Sequence, residues 1–223
     1  MTTDRTTTAK PAVSATPWRW FELVALFVAA PLILRVTPAR LLIPQIVVGA
    51  AGCLAMLLRD RTFDRRRLWG LSGQGRALRR AALRFLVLAP LLAGLIAWLR
   101  PDAFADLPRN RPLIWGMVMV AYPILSVYPQ ELIFRTYFFH RYQGILANES
   151  ALAIGSALAF GWAHVVLGNG IAMALSTVGG LMFAGTYARS HSTAAVGIEH
   201  ALWGCAVFTM GLGSFFYAGA SRP

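Results

Sequence analysis

The sequence predicts an all-α fold, a polytopic bundle of about seven membrane-spanning helices, and three observations predict it. Of 223 residues, 57% are hydrophobic and only 13% are charged, where an average soluble domain carries about 25% charged residues. Mean hydropathy is +0.57. The apolar residues gather into long runs, and a helix needs about 20 of them to cross a hydrocarbon layer about 30 Å thick. A soluble fold of this size would lack the polar surface to cover its core, so these side chains must face lipid as well as each other.

Taken in order, residues 1–17 are polar and read as a disordered cytoplasmic tail. They do not read as a secretory signal peptide, because no small-residue cleavage site precedes a soluble domain. Residues 18–223 read as one transmembrane domain with spans at 18–36, 41–58, 82–99, 112–129 (continuing through about 145), 150–168, 170–188 and 194–216. Between the second and third spans, a basic loop is expected at 59–81. The stretch 59–84 holds Arg59, Arg61, Arg65, Arg66, Arg67, Arg76, Arg79, Arg80 and Arg84 against Asp60 and Asp64. Cytoplasmic loops collect Arg and Lys. The loop and the N-terminus are therefore expected in the cytoplasm, and seven spans would put the C-terminus outside. Anionic lipid along 59–84 and a solvated loop explain this charge equally well.

The net charge is +12, carried by arginines and the single Lys10. These arginines flank hydrophobic runs and form no aromatic-interleaved basic face, which argues against nucleic-acid binding. Cys53 and Cys205 lie inside apolar runs and read as small hydrophobes.

An ionisable group at membrane depth is costly, and each one is a functional candidate. Glu131, Arg135, His164, Glu199 and His200 are such groups. Glu131 and Arg135 are four apart, so a helix puts them on one face, either as a structural ion pair or as part of a site. Pro129 just before them is expected to kink or restart the helix. His164 alone reads equally as a helix–helix hydrogen-bond partner. Glu199 and His200 are adjacent, about 100° apart on a helix, so His200 can share a cavity with His164 while Glu199 points aside and pairs near the cytoplasmic end, with Arg189. A carboxylate and two histidines held dry suit water activation and proton transfer. The same set suits a divalent metal such as zinc. Sequence leaves a metal centre and a metal-free one both open.

Three short pieces occur in order on separate spans: Gln130-Glu131-x-x-x-Arg135, Phe160-x-x-x-His164 and His200-x-x-x-Gly204. They resemble the CPBP family of intramembrane proteases, which includes the CAAX prenyl endopeptidases. The family motifs are Glu-Glu-x-x-x-Arg, Phe-x-x-x-His and His-x-x-x-Asn. The resemblance spans about 110–215, a CAAX-protease-like core. It implies a multi-pass protein of a bacterial inner (plasma) membrane that hydrolyses a peptide bond of a membrane-anchored protein or peptide. It implies catalytic roles for Glu131, Arg135, His164 and His200. Gln130 stands at the family's water-activating Glu and Gly204 at its carbonyl-polarising Asn. Glu131 or Glu199 would then replace the lost base, with His164 and His200 holding the water. The alternative is a catalytically lapsed relative acting as a membrane scaffold, chaperone or immunity-type protein. A small transporter or proton relay is a third class, though the chain shows no inverted repeat.

Overall fold

The computed structural model describes residues 17–216, so the expected tail lies, but for Pro17, outside the described residues. The helices are α1 (Pro17–Leu34), α2 (Ala39–Arg59), α3 (Arg66–Trp69), α4 (Gly75–Leu99), α5 (Asp106–Asn110), α6 (Pro112–Tyr142), α7 (Glu149–Leu167), α8 (Gly170–Ser190), α9 (Thr193–Thr209) and α10 (Gly213–Phe216). Six of them, α1, α2, α4, α6, α7 and α8, are long and apolar enough to cross a membrane. The seventh expected span, 194–216, is instead α9 with 17 residues, roughly 25 Å at about 1.5 Å per residue. Gly211 follows it at φ +90°, a left-handed conformation that suits only glycine. A Cβ there would also collide with the Ala103 carbonyl.

Other boundaries moved for physical reasons. Helix α4 starts at Gly75 rather than at 82, so Arg76, Arg79 and Arg80 sit on its first turns instead of in a loop. Arginine is a good helix former, and its long stem can lie along apolar surface while its head reaches the interface. Helix α6 runs unbroken through Pro129, where a kink or restart was expected. Two widened π-helical turns, Pro123–Val127 and Leu132–Tyr137, bracket that proline. Proline leaves a carbonyl without its donor, and a π turn changes the register locally without ending the helix.

Three polar residues start the C-terminal helices. Asn148, Asn169 and Ser192 each accept a hydrogen bond from a backbone N–H three residues on, at 2.9, 2.8 and 3.1 Å. Such caps satisfy donors that a helix start leaves open. Helices α7 and α8 then pack closely, because Gly161 faces Thr177 and Gly180 lies under Ala157. A Cβ at Gly180 would be 3.0 Å from the Ala157 carbonyl oxygen. Small residues of this kind let spanning helices approach. The outer helices differ: Val48, Leu86, Leu91 and Trp98 are exposed, which suits lipid.

One end of the bundle collects the basic segment. His140 lies 2.9 Å from Asp60, Gln74 Nε2 donates to the Ser190 carbonyl at 2.9 Å, and Thr193 Oγ1 donates to the Arg67 carbonyl at 3.0 Å. Hydrogen bonds from Thr62, and then from His140, hold the Asp60 carboxyl down to about 2. Glu22 fastens α1 to α6. It accepts two bonds from Arg141, at 2.9 and 2.6 Å, and further bonds from Tyr137 and Tyr142 at 2.8 and 3.2 Å. Glu22→Ala should destabilise the protein by about 1–3 kcal/mol, since it strands three donors in a partly buried site. Thermal unfolding in detergent checks this, and Glu22→Gln should lose less.

Candidate active site

Glu131 and Arg135 are fully buried near the middle of the bundle. Arg135 Nε lies 3.4 Å from Glu131 Oε2, Nη2 points at the Gly180 carbonyl at 3.5 Å, and the guanidinium sits 4.7 Å over the Phe160 ring. The other carboxylate oxygen, Oε1, is 2.7 Å from His200 Nδ1. A carboxylate only accepts, so Nδ1 carries the hydrogen, and in the neutral ring Nε2 is then the acceptor. That acceptor meets the Tyr122 hydroxyl at 3.2 Å. Glu131, His200 and Tyr122 therefore form one line: carboxylate, imidazole, phenol. Behind the imidazole, Phe183 stacks at 4.5 Å between ring centroids.

His164 joins through Phe160. The Phe160 ring packs edge-on against His164 at 4.9 Å and against His200 at 5.4 Å. His164 Nδ1 donates to the Phe160 carbonyl at 2.8 Å, so Nε2 again keeps a lone pair. Two histidines thus flank one aromatic ring, each with an Nε2 acceptor.

The two motif positions that depart from the family are filled differently. Gln130 is held by Ser126, one turn earlier, at 2.7 Å. Its amide has no titratable proton. At Gly204 the missing side chain makes room for Tyr122: a Cβ there would lie 2.5 Å from the tyrosine hydroxyl and 2.7 Å from Cζ. Tyr122 therefore needs glycine at 204 and puts an O–H donor where the family has an amide.

Glu199 points away from this line, as its position next to His200 implies. Its partner is Arg84 at 2.6 Å, not Arg189 as expected, because α4 packs beside α9 and brings Arg84 against the face that carries Glu199. Among the described residues, no three His, Cys, Asp or Glu side chains form a metal-binding group. His200 uses both ring nitrogens on Glu131 and Tyr122. The sequence left a metal centre and a metal-free one both open; two histidines and a carboxylate around zinc do not fit the hydrogen-bonded arrangement of His200, and no chemistry is derived through a metal.

Glu131, Arg135, His200 and His164, each a candidate from the sequence, lie in one neighbourhood, whereas Tyr122, Phe183 and Arg84 carried no such signal. Tyr122 is nine residues before Glu131, which on a regular helix is about half a revolution out of phase. The π-helical turn Pro123–Val127 lies between them and shifts the register. The only hint in the sequence was the bare Gly204. Beside the line, an apolar groove of about 510 Å³ opens between α4 and α9, lined by Phe85, Ala201, Cys205 and Thr209 among others.

Residues 111–206 match the family model described as type II CAAX prenyl endopeptidase Rce1-like. No curated protein and no solved structure matches the chain. The matched segment runs from the start of α6 into α9 and holds every residue of the Glu131–His200–Tyr122 line, with Arg135, His164 and Gly204. Over this segment, the chain is similar to the CAAX protease-like family of membrane endopeptidases.

Proposed function

We propose that this protein is an active intramembrane endopeptidase that hydrolyses a peptide bond of a membrane-anchored protein or peptide. The observation that carries this reading is the hydrogen-bonded line from Glu131 through His200 to Tyr122, with His164 sharing the Phe160 ring. Glu131 fixes the tautomer of His200 and stabilises the imidazolium that forms, as a buried carboxylate does behind a catalytic histidine. A water held by the Nε2 atoms of His164 and His200 gives its proton to His200 as its oxygen bonds to the scissile carbonyl carbon. The carbonyl π pair moves onto oxygen, where the Tyr122 hydroxyl, released from His200, donates a hydrogen bond to it. Collapse breaks the C–N bond, and the leaving amine takes the proton from His200. Arg135, 3.4 Å from the other carboxylate oxygen, holds Glu131 in place. Glu199 holds Arg84 and α4 instead of acting as the base.

The apolar groove between α4 and α9 supports a lateral approach for a membrane-anchored substrate. The clustering of 59–67 with the ends of α6, α8 and α9 supports a cytoplasmic basic end, with the N-terminus on the same side of a plasma membrane.

The test is cleavage of membrane-anchored peptides by the purified chain in liposomes. His200→Ala and His164→Ala should each lower turnover by about 100-fold or more. Equal turnover in wild type and His200→Ala would end the reading. The second reading, a lapsed relative that keeps the scaffold, rests on Gln130, whose amide is tied to Ser126. It expects a silent wild type and a gain of cleavage in Gln130→Glu.

A further inference from the structure

At the basic end of the bundle, a pocket of about 290 Å³ lies between α4 and α8, lined by Arg80, Leu83, Arg84 and Arg189. Three of its four lining side chains are guanidinium groups. Arg84 turns inward. Its Nη2 is 2.6 Å from the buried Glu199 carboxylate and 2.7 Å from Thr186 Oγ1, while its Nε is buried without a hydrogen-bond partner. One carboxylate therefore faces three guanidiniums, paired with Arg84 and acting on Arg189 from farther off. Arg80 and Arg189 are exposed and form no ion pair or hydrogen bond among the described residues. Like charges crowded together repel, and an anion between them removes that cost.

The setting argues for a lipid as the source of the anion. Arg80 is five residues into α4 and Arg189 is in the last turn of α8, which places both guanidiniums near the interface of a spanning bundle. Below them, Leu83, Leu86, Val87 and Leu91 form an exposed apolar track along α4. A charged head above such a track matches a phospholipid, and basic pockets between spanning helices on the cytoplasmic side take anionic headgroups.

We propose that this pocket binds the phosphate of an anionic phospholipid headgroup, with the acyl chains lying along the Leu83–Leu86–Leu91 side of α4. The site joins two helices that are far apart in sequence, and Arg189 lies outside the basic segment that sequence alone singled out.

The experiment uses the full chain in nanodiscs of phosphatidylcholine with phosphatidylglycerol titrated in, followed by mild delipidation and native mass spectrometry. Wild type should retain phosphatidylglycerol in preference to phosphatidylcholine. Arg80→Gln/Arg189→Gln should weaken that retention by about tenfold. Arg61→Gln/Arg65→Gln, in the loop, should retain lipid as wild type does. Both pocket arginines are exposed, so the double variant should fold, and its thermal unfolding in phosphatidylcholine should match wild type. If the double variant unfolds early, Arg80→Lys/Arg189→Lys replaces it and should show weakened retention at unchanged charge, since a single ammonium lacks the planar fork. Retention unchanged in the first folded variant of this pair overturns the proposal. So does equal retention of phosphatidylcholine. Displacement of the lipid by millimolar inorganic phosphate in solution would also overturn it, by making the occupant a free anion.

Discussion

Glu131→Ala should cost about 3–5 kcal/mol of stability, the range for removing one partner of a buried charge pair. Glu131 and Arg135 are both fully buried. Without the carboxylate, Arg135 keeps only the Gly180 carbonyl at 3.5 Å and the face of Phe160. Its Nε and Nη1 already lack hydrogen-bond partners, so nothing nearby takes up the charge. Activity should fall with stability, because His200 loses the group that fixes its tautomer. The companion variant Glu131→Leu/Arg135→Met removes both charges and should recover most of the stability while staying inactive. Thermal unfolding in detergent, run beside the cleavage assay, separates the two effects. Stability equal to wild type in Glu131→Ala would show that Arg135 has another counter-charge.

Tyr122→Phe should lower turnover by about 100- to 1,000-fold, the cost of removing one donor from a developing oxyanion. The ring still fills the space at Gly204, so stability should change by only about 1 kcal/mol, the value of one hydrogen bond. A loss in kcat with KM nearly unchanged would mark a donor that acts in the transition state. The reciprocal variant Tyr122→Ala/Gly204→Asn frees the volume that the ring fills and brings an amide donor to the same place. It should turn over faster than Tyr122→Ala alone. Gly204→Asn by itself should fail, because the new Cβ meets the tyrosine ring.

The sequence made the helical membrane character legible because a span has a simple physical signature: length and apolarity. Where one property decided the outcome, as in α7 and α8, the expected and observed spans nearly coincide. It misjudged α4 because charge was read as loop, although arginines with long apolar stems can begin a helix. It misjudged α9 because a turn at Gly211, which no hydropathy window registers, cuts the helix short. The candidate site was legible as residue types: Glu131, His164 and His200 stood out as polar groups in apolar helices. Their partners were not. Tyr122 reaches His200 across a π-helical turn, and regular helical spacing puts it on the wrong face. Arg84 reaches Glu199 because α4 packs beside α9, a tertiary pairing that no spacing along the sequence records.

The most direct test is proteolysis by the purified chain in liposomes, run in ¹⁸O-labelled water with and without a strong metal chelator. Wild type should cleave a membrane-anchored peptide, with one labelled oxygen in the new carboxylate and the same rate in chelator, as expected if His200 rather than a metal activates the water. Cleavage abolished by chelator and restored by zinc would contradict this, because His200 Nδ1 is held by Glu131 and its Nε2 serves as the base for water once Tyr122 turns to the oxyanion.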